Sequence, residues 1–135
     1  MKTYSKLLLS LSFIFFFSSC RKENVTNKLV GSWQILQVYN GYTMGGDFKW
    51  STVPKEYKSS IAFNRDGSFS ESLPGSWSSN QCTGNYVLIN ENELRVNSTC
   101  STMPYNIIFD VSEGFLIITH KVIEGEIKEK FIKIN

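Results

Sequence analysis

Leu29-Val30-Gly31-Ser32-Trp33 is the stretch on which the fold turns. A short apolar run meets a glycine and then a tryptophan, directly after a polar segment, as the first strand of a small β-barrel would begin. The glycine lets the chain bend closely across a barrel floor, and the indole two residues later can plug that floor from inside. Strand one then continues through Ile35, Leu36, Val38 and Tyr39. Its inward–outward alternation breaks between Ile35 and Leu36, which predicts a β-bulge at that point.

Upstream, Lys2 and Lys6 form a positive n-region, Leu7 to Phe17 an apolar h-region, and Ser18-Ser19 the small residues a signal peptidase accepts. Residues 1–19 therefore predict an export signal. The h-region is shorter than the about 20 apolar residues of a spanning helix, and it runs straight into Arg21-Lys22-Glu23-Asn24. Phe17-Ser18-Ser19-Cys20 resembles the lipobox of bacterial lipoproteins. The resemblance implies that the Cys20 thiol is acylated and becomes the new N-terminus, so that the first partner is a membrane reached through acyl chains. Two or three chains anchor stably where one is marginal. Residues 20–28 then read as lipidated cysteine and tether, with Arg21 to Asn27 a solvated linker, and residues 29–135 as the barrel domain. The implied address is the bacterial cell envelope, at the outer membrane.

A chain of 135 residues, 41% hydrophobic and 19% charged, suits one domain with one core. The formal charge of +2 includes Lys2 and Lys6; without them the basic residues balance the 12 acidic ones. A near-neutral domain with no basic stripe is not built for nucleic acid.

Downstream, short Val/Ile/Phe/Tyr runs recur between Gly, Asn, Asp and Ser clusters, and no long 3.6-residue period intervenes. The fold class read from this pattern is all-β, an antiparallel barrel or sandwich. Asn40 to Tyr57 is the least regular part, with Gly41, Gly45 and Gly46, a short strand through Phe48 and Trp50, and a single helical turn at Thr52-Val53-Pro54-Lys55-Glu56. It reads as a connection covering a barrel end, or as a lid. Ile61 to Phe69 is a hairpin turning at Asp66-Gly67, which pairs Phe63 with Phe69 and Ile61 with Glu71. Leu73 to Gln81 follows as a Gly/Ser-rich loop carrying Trp77.

In the next hairpin, a turn at Asn90-Glu91-Asn92 sets Leu88 opposite Leu94, Tyr86 opposite Val96, Gly84 opposite Ser98 and Cys82 opposite Cys100. One register thus pairs the apolar residues and the cysteines together. Export permits oxidation, and directly opposed residues at a non-hydrogen-bonded site have Cα atoms about 4.5 Å apart, close enough for a strained but feasible bridge, so a Cys82–Cys100 disulfide is expected. The last hairpins run Tyr105 to Val111, Phe115 to Ile123 and Glu126 to Ile134, turning at Ser112-Glu113-Gly114 and Glu124-Gly125. The second of these turns would align Val122 with Ile127, His120 with Glu129 and Ile118 with Phe131.

Gly31-Ser32-Trp33, then Phe63 with Asp66-Gly67 and Phe69, then Gly84-Asn85-Tyr86 with Leu94, and the final strand Phe131 to Ile134 resemble the small lipocalin-like domains of bacterial lipoproteins. The resemblance implies an up-and-down barrel of about eight strands, a shape that holds one small ligand or packs its own side chains. In classical lipocalins an arginine of the last strand lies over the motif tryptophan; this chain departs from that with Lys130 or Lys133 in that region, and the floor set is Gly31, Trp33 and Lys133. Interior positions that would line a ligand cavity are Trp33, Ile35, Phe63, Phe69, Tyr86, Leu94, Phe109, Ile118 and Phe131.

His120 beside Glu129 is the one pair with acid–base chemistry, and no serine or cysteine is tied to it by a recognisable motif. It reads as a cross-strand ion pair, and the chain as a non-enzyme, without cofactor or metal, in the form of a monomeric barrel. Two functions stay open. One is a membrane-anchored binding module for a small apolar or amphipathic ligand, with a cavity lined by groups such as Trp33, Tyr86 and Phe109. The other is an interaction or inhibitor module with a filled barrel, acting through Asn40 to Tyr57 and Trp77.

Overall fold

The β-forming runs pair antiparallel, strand after strand, until the last meets the first. A computed structural model describes residues 24–73 and 81–134. The expected export signal, Cys20 and Trp77 lie outside the described residues. The strands are β1 (Gly31–Tyr42), β2 (Trp50–Thr52), β3 (Ser60–Phe63), β4 (Ser68–Ser72), β5 (Gln81–Asn90), β6 (Glu93–Ser98), β7 (Tyr105–Ser112), β8 (Phe115–Val122) and β9 (Gly125–Ile134). β9 returns to β1 over a ladder from Ser32↔Ile134 to Tyr42↔Gly125, which closes an eight-stranded up-and-down barrel with β2 as an extra strand.

β2 and β3 both pair with β1, at Gln37 to Tyr39 and at Gly31 to Gln34 respectively, as one interrupted strand. The interruption carries a single 3-10 turn, Lys55–Tyr57. It falls beside the place where the β1–β9 register shifts between Ile35 and Gln37. The extra residue, Leu36, is the expected bulge, and its carbonyl accepts from the Val53 N–H at 3.0 Å. The short strand begins at Trp50. Phe48 instead lies in the loop before it, at φ 54°.

The floor is the end where β1 begins; the mouth is the end where β1 stops. Alternate residues pointing inward form one apolar cluster from Trp33, Ile35, Ile61, Phe63 and Phe69 round to Leu116, Ile118 and Phe131. Residues 24–29 differ from the expected solvated linker. They form a short helix whose Val25 packs on the core and whose Leu29 is fully buried. The apolar pair four residues apart places both side chains on one helix face, and the Trp33 indole N–H donates to the Leu29 carbonyl at 2.8 Å.

The first hairpin has the expected register, Phe63↔Phe69 and Ile61↔Glu71. In the β5–β6 hairpin Leu88↔Leu94, Tyr86↔Val96 and Gly84↔Ser98 are paired as read, with the turn tightened to Glu91-Asn92 and a shift at Ile89. Cys82 and Cys100 are bridged, but not as a ladder pair: β6 stops at Ser98, and Cys100 sits in the following turn with its Cα 5.5 Å from that of Cys82. Ser98 ends the ladder by accepting twice, from the Cys100 N–H at its hydroxyl and from the Ser101 N–H at its carbonyl.

The last hairpin is corrected by two residues. Val122 pairs with Gly125, His120 with Ile127, Ile118 with Glu129 and Leu116 with Phe131, around a turn at Ile123-Glu124. Gly125 is not a turn residue but the first of β9. A Cβ there would lie 2.2 Å from the Gly41 carbonyl oxygen, so β1 and β9 approach too closely for any side chain.

Candidate functional site: the barrel floor and mouth

At the floor, Gly31, Trp33 and Lys133 come together. The Lys133 ammonium lies 5.2 Å from the Trp33 ring centroid and donates to the Val30 carbonyl at 2.9 Å. A Cβ on Gly31 would stand 2.5 Å from the Lys133 Cε, and the Gly31 φ of 141° also favours glycine. Lys130, on the opposite face of β9, lies over the Phe115 ring on the outer wall instead. A pocket of about 460 Å3 opens at this end between Lys28, Lys133, Trp33 and the β7–β8 turn.

All nine candidate cavity residues belong to the buried core cluster, and none is more than 7% exposed. Phe63 packs edge-on against Tyr86 and tilted against Phe69, with ring centroids 5.2 and 5.6 Å apart. The Tyr86 hydroxyl donates to the Asn64 carbonyl at 2.8 Å. These side chains fill the barrel from the floor through its middle, and their burial is ordinary core packing.

The inward positions change character toward the mouth. Glu71 on β4, Tyr105 on β7, His120 on β8 and Glu129 on β9 share the parity of the core residues below them. His120 Nε2 and a Glu129 carboxylate oxygen are 2.9 Å apart, a diagonal contact across the corrected register. The hydrogen bond from Glu129 raises His120 above the ordinary imidazole value against its desolvation, and the charges of Glu129 and Glu71 add to it. Burial raises Glu71 above the ordinary carboxylate value; Glu129 pushes it farther and His120 opposes. Because β4 lies across the barrel from β8 and β9, this coupling runs through the lumen rather than along a ladder. Tyr105 is raised by burial and by Glu71, and lowered by its hydrogen bond with Ser98. The Cys82–Cys100 bridge closes the wall next to Glu71, since Cys82 is its ladder partner.

His120 and Glu129 are legible by residue type in the sequence; Glu71 and Tyr105 are not. The signal for Glu71 was present in its pairing with Ile61, an inward position; only barrel closure shows that it faces His120. Among the described residues no group of three or more His, Cys, Asp or Glu side chains could hold a metal ion.

The connection from β1 to β3 displays apolar side chains outward. Met44, Phe48 and Tyr57 are each more than half exposed. Phe48 is held at its positive φ by its N–H bond to the Asn40 carbonyl, a conformation that costs a non-glycine residue about 1 kcal/mol or more. Trp50 stacks at a tilt on Tyr39, 5.6 Å between centroids. Neither a family model, nor a curated protein, nor a solved structure matches this chain.

Proposed function

We propose that the chain is a lipid-anchored, non-catalytic binding module of the bacterial cell envelope, lipocalin-like in its sequence pattern, and that its ligand seat is the barrel mouth rather than the middle of the barrel. The observation that carries this reading is the placement of Glu71: a half-buried carboxylate that points inward from β4 toward His120 and Glu129 across the barrel, where burial raises its pKa. The desolvation of a carboxylate at the end of an otherwise filled core is relieved when a donor pairs with it. A small amphipathic molecule would supply that partner. Its hydrogen-bond-donating head would lie among Glu71, Tyr105, His120 and Glu129, and its apolar part along Val38, the ladder partner of Glu129, and Ile127, two residues nearer the rim on β9.

The mature chain, purified from its host and sprayed natively, tests this. A small molecule retained by the wild type and lost from Glu71→Gln is the expected result. A bare mass for both chains would refute it.

The second reading, an interaction or inhibitor module with a filled barrel, is favoured by one specific observation: the outward display of Met44, Phe48 and Tyr57 beside a packed interior. Clustered exposed apolar groups mark contact surfaces. A chain that carries no small molecule and that loses a protein partner on Phe48→Ser would belong to this class.

A further inference from the structure

An apolar outer stripe runs to the floor on β8 and β9, and Val87 and Ile89 form a second outward pair on β5. Ile134, Ile132, Phe115 and Ile117 point outward on the adjoining strands β9 and β8, with Phe115 paired to Ile132. Ile132 and Ile134 are 41% and 38% exposed, although they sit in a fully paired wall. Lysines flank the stripe. Lys130 lies over Phe115 at 4.2 Å, and Lys133 and Lys28 border the floor pocket. Glu113 is the acidic group at that pocket's rim. The acidic turns Asp66 and Glu91 lie at the same end but farther round, between β3 and β4 and between β5 and β6. The β8–β9 sector of the floor therefore joins apolar side chains to lysines, while the opposite sector carries both signs, with Arg65 beside Asp66 in the β3–β4 turn.

Chain length adds a second, independent constraint. Cys20 is separated from the start of the floor helix at Asn24 by so few residues that the span is at most about 14 Å. An acyl group on Cys20 cannot carry the floor far from its membrane, and the mouth hairpins lie a full strand length away.

The geometry points to the floor end of the barrel as a docking surface for an anionic phospholipid bilayer. Ile132 and Ile134 sit at the headgroup–acyl boundary, Lys28, Lys130 and Lys133 at the phosphates, and the mouth opens away from the membrane that holds the anchor. This rests on the acylation of Cys20 proposed above. Aromatic and aliphatic groups beside lysine are the composition that settles in a bilayer interface, and lysines close to an anionic surface are each attracted to it. The orientation also has a consequence for the seat: its ligand arrives from the aqueous side, not laterally from the anchoring leaflet.

The test uses the full mature chain purified with its acyl groups, reconstituted in nanodiscs of anionic phospholipid that contain a gadolinium-chelating lipid. Amide NMR signals of Ser32, Phe115, Ile132 and Ile134 are expected to be lost, while those of Thr43 to Gly46, Glu124 and Glu91 persist. In an Ile132→Ser, Ile134→Ser double variant, changed only at outward positions, the loss is expected to even out between Ile134 and Glu91. In the wild type, loss at the mouth hairpins, or equal loss at Glu91 and Ile134, overturns the orientation while leaving the anchor intact. A purified chain whose mass lacks acyl groups overturns the anchoring reading, and the orientation with it.

Discussion

Lys133 reaches back from the last strand to the first, its ammonium 5.2 Å from the Trp33 ring centroid and bonded to the Val30 carbonyl. The contact ties the two ends of the barrel chain together where the floor helix enters. Because the side chain is exposed, the cation–π part contributes about 0.5–1 kcal/mol, and the charged hydrogen bond adds to it. Lys133→Ala should lower the unfolding free energy by about 1–2 kcal/mol in urea titration. Gly31→Ala should cost a similar amount through its φ alone. Their double variant should be better than additive, because removing Lys133 also removes the side chain that a Cβ at Gly31 would strike.

Gly84→Ala should be far worse. A Cβ at Gly84 would lie 1.8 Å from the Asn97 carbonyl oxygen, which is ladder backbone and cannot step aside. The strands must separate, and a loss of about 3 kcal/mol or more is expected. Val87→Ala, on the outer face of the same strand and 65% exposed, should stay within about 0.5 kcal/mol of wild type. Thermal unfolding of the two variants side by side measures the contrast.

Reduction of Cys82–Cys100 should cost about 3 kcal/mol, from the loop entropy of its 18-residue separation. The bridge joins β5 to the turn after β6, so hydrogen exchange should accelerate first at Thr83, Thr99 and Ser101. Uniform acceleration over β1 and β9 would contradict a mouth-local role.

The pH dependence follows from Glu71 and His120, whose pKa values are both raised. The folded state holds each proton more tightly than the unfolded chain. Glu71 therefore withdraws stability as pH rises above 4.5 through its raised value, and the stability from His120, complete below 6.5, is lost as pH rises through its raised value. Asp66 and Glu126 are lowered and act oppositely, losing stability as pH falls through their values, below 3.8 and 4.5. Melting temperature should thus peak on the mildly acid side and decline toward about pH 8. Glu129→Gln removes the carboxylate that raises both groups and should flatten that decline.

Much of this was legible in the residues because period-two patterning and turn chemistry act locally. Asp66-Gly67 sets the first hairpin, and the apolar pairs Leu88/Leu94 and Tyr86/Val96 allow one register only. The misreadings came from residues whose reasons are nonlocal. Gly125 resembles a turn glycine, but its missing side chain serves the approach of Gly41 on β1, and the hairpin register moves by two with it. Ser98 ends β6 early by capping the next turn, so Cys100 reaches Cys82 from outside the ladder. Val25 lies in a polar-looking run that says nothing of the floor it covers. The mouth cluster is the extreme case. Glu71 and His120 are far apart in sequence and meet only across a closed barrel, so no motif could announce them.

The central claim is that the ligand seat is the mouth. The most direct measurement is amide and side-chain chemical-shift mapping of the mature chain on addition of a lipid and small-molecule extract from its host's envelope. The account predicts shifts at Glu71, Tyr105, His120 and Glu129, with Trp33, Tyr86 and Phe109 unmoved. Shifts confined to Thr43 to Lys49 and Tyr57, with Glu71, Tyr105, His120 and Glu129 silent, would contradict it.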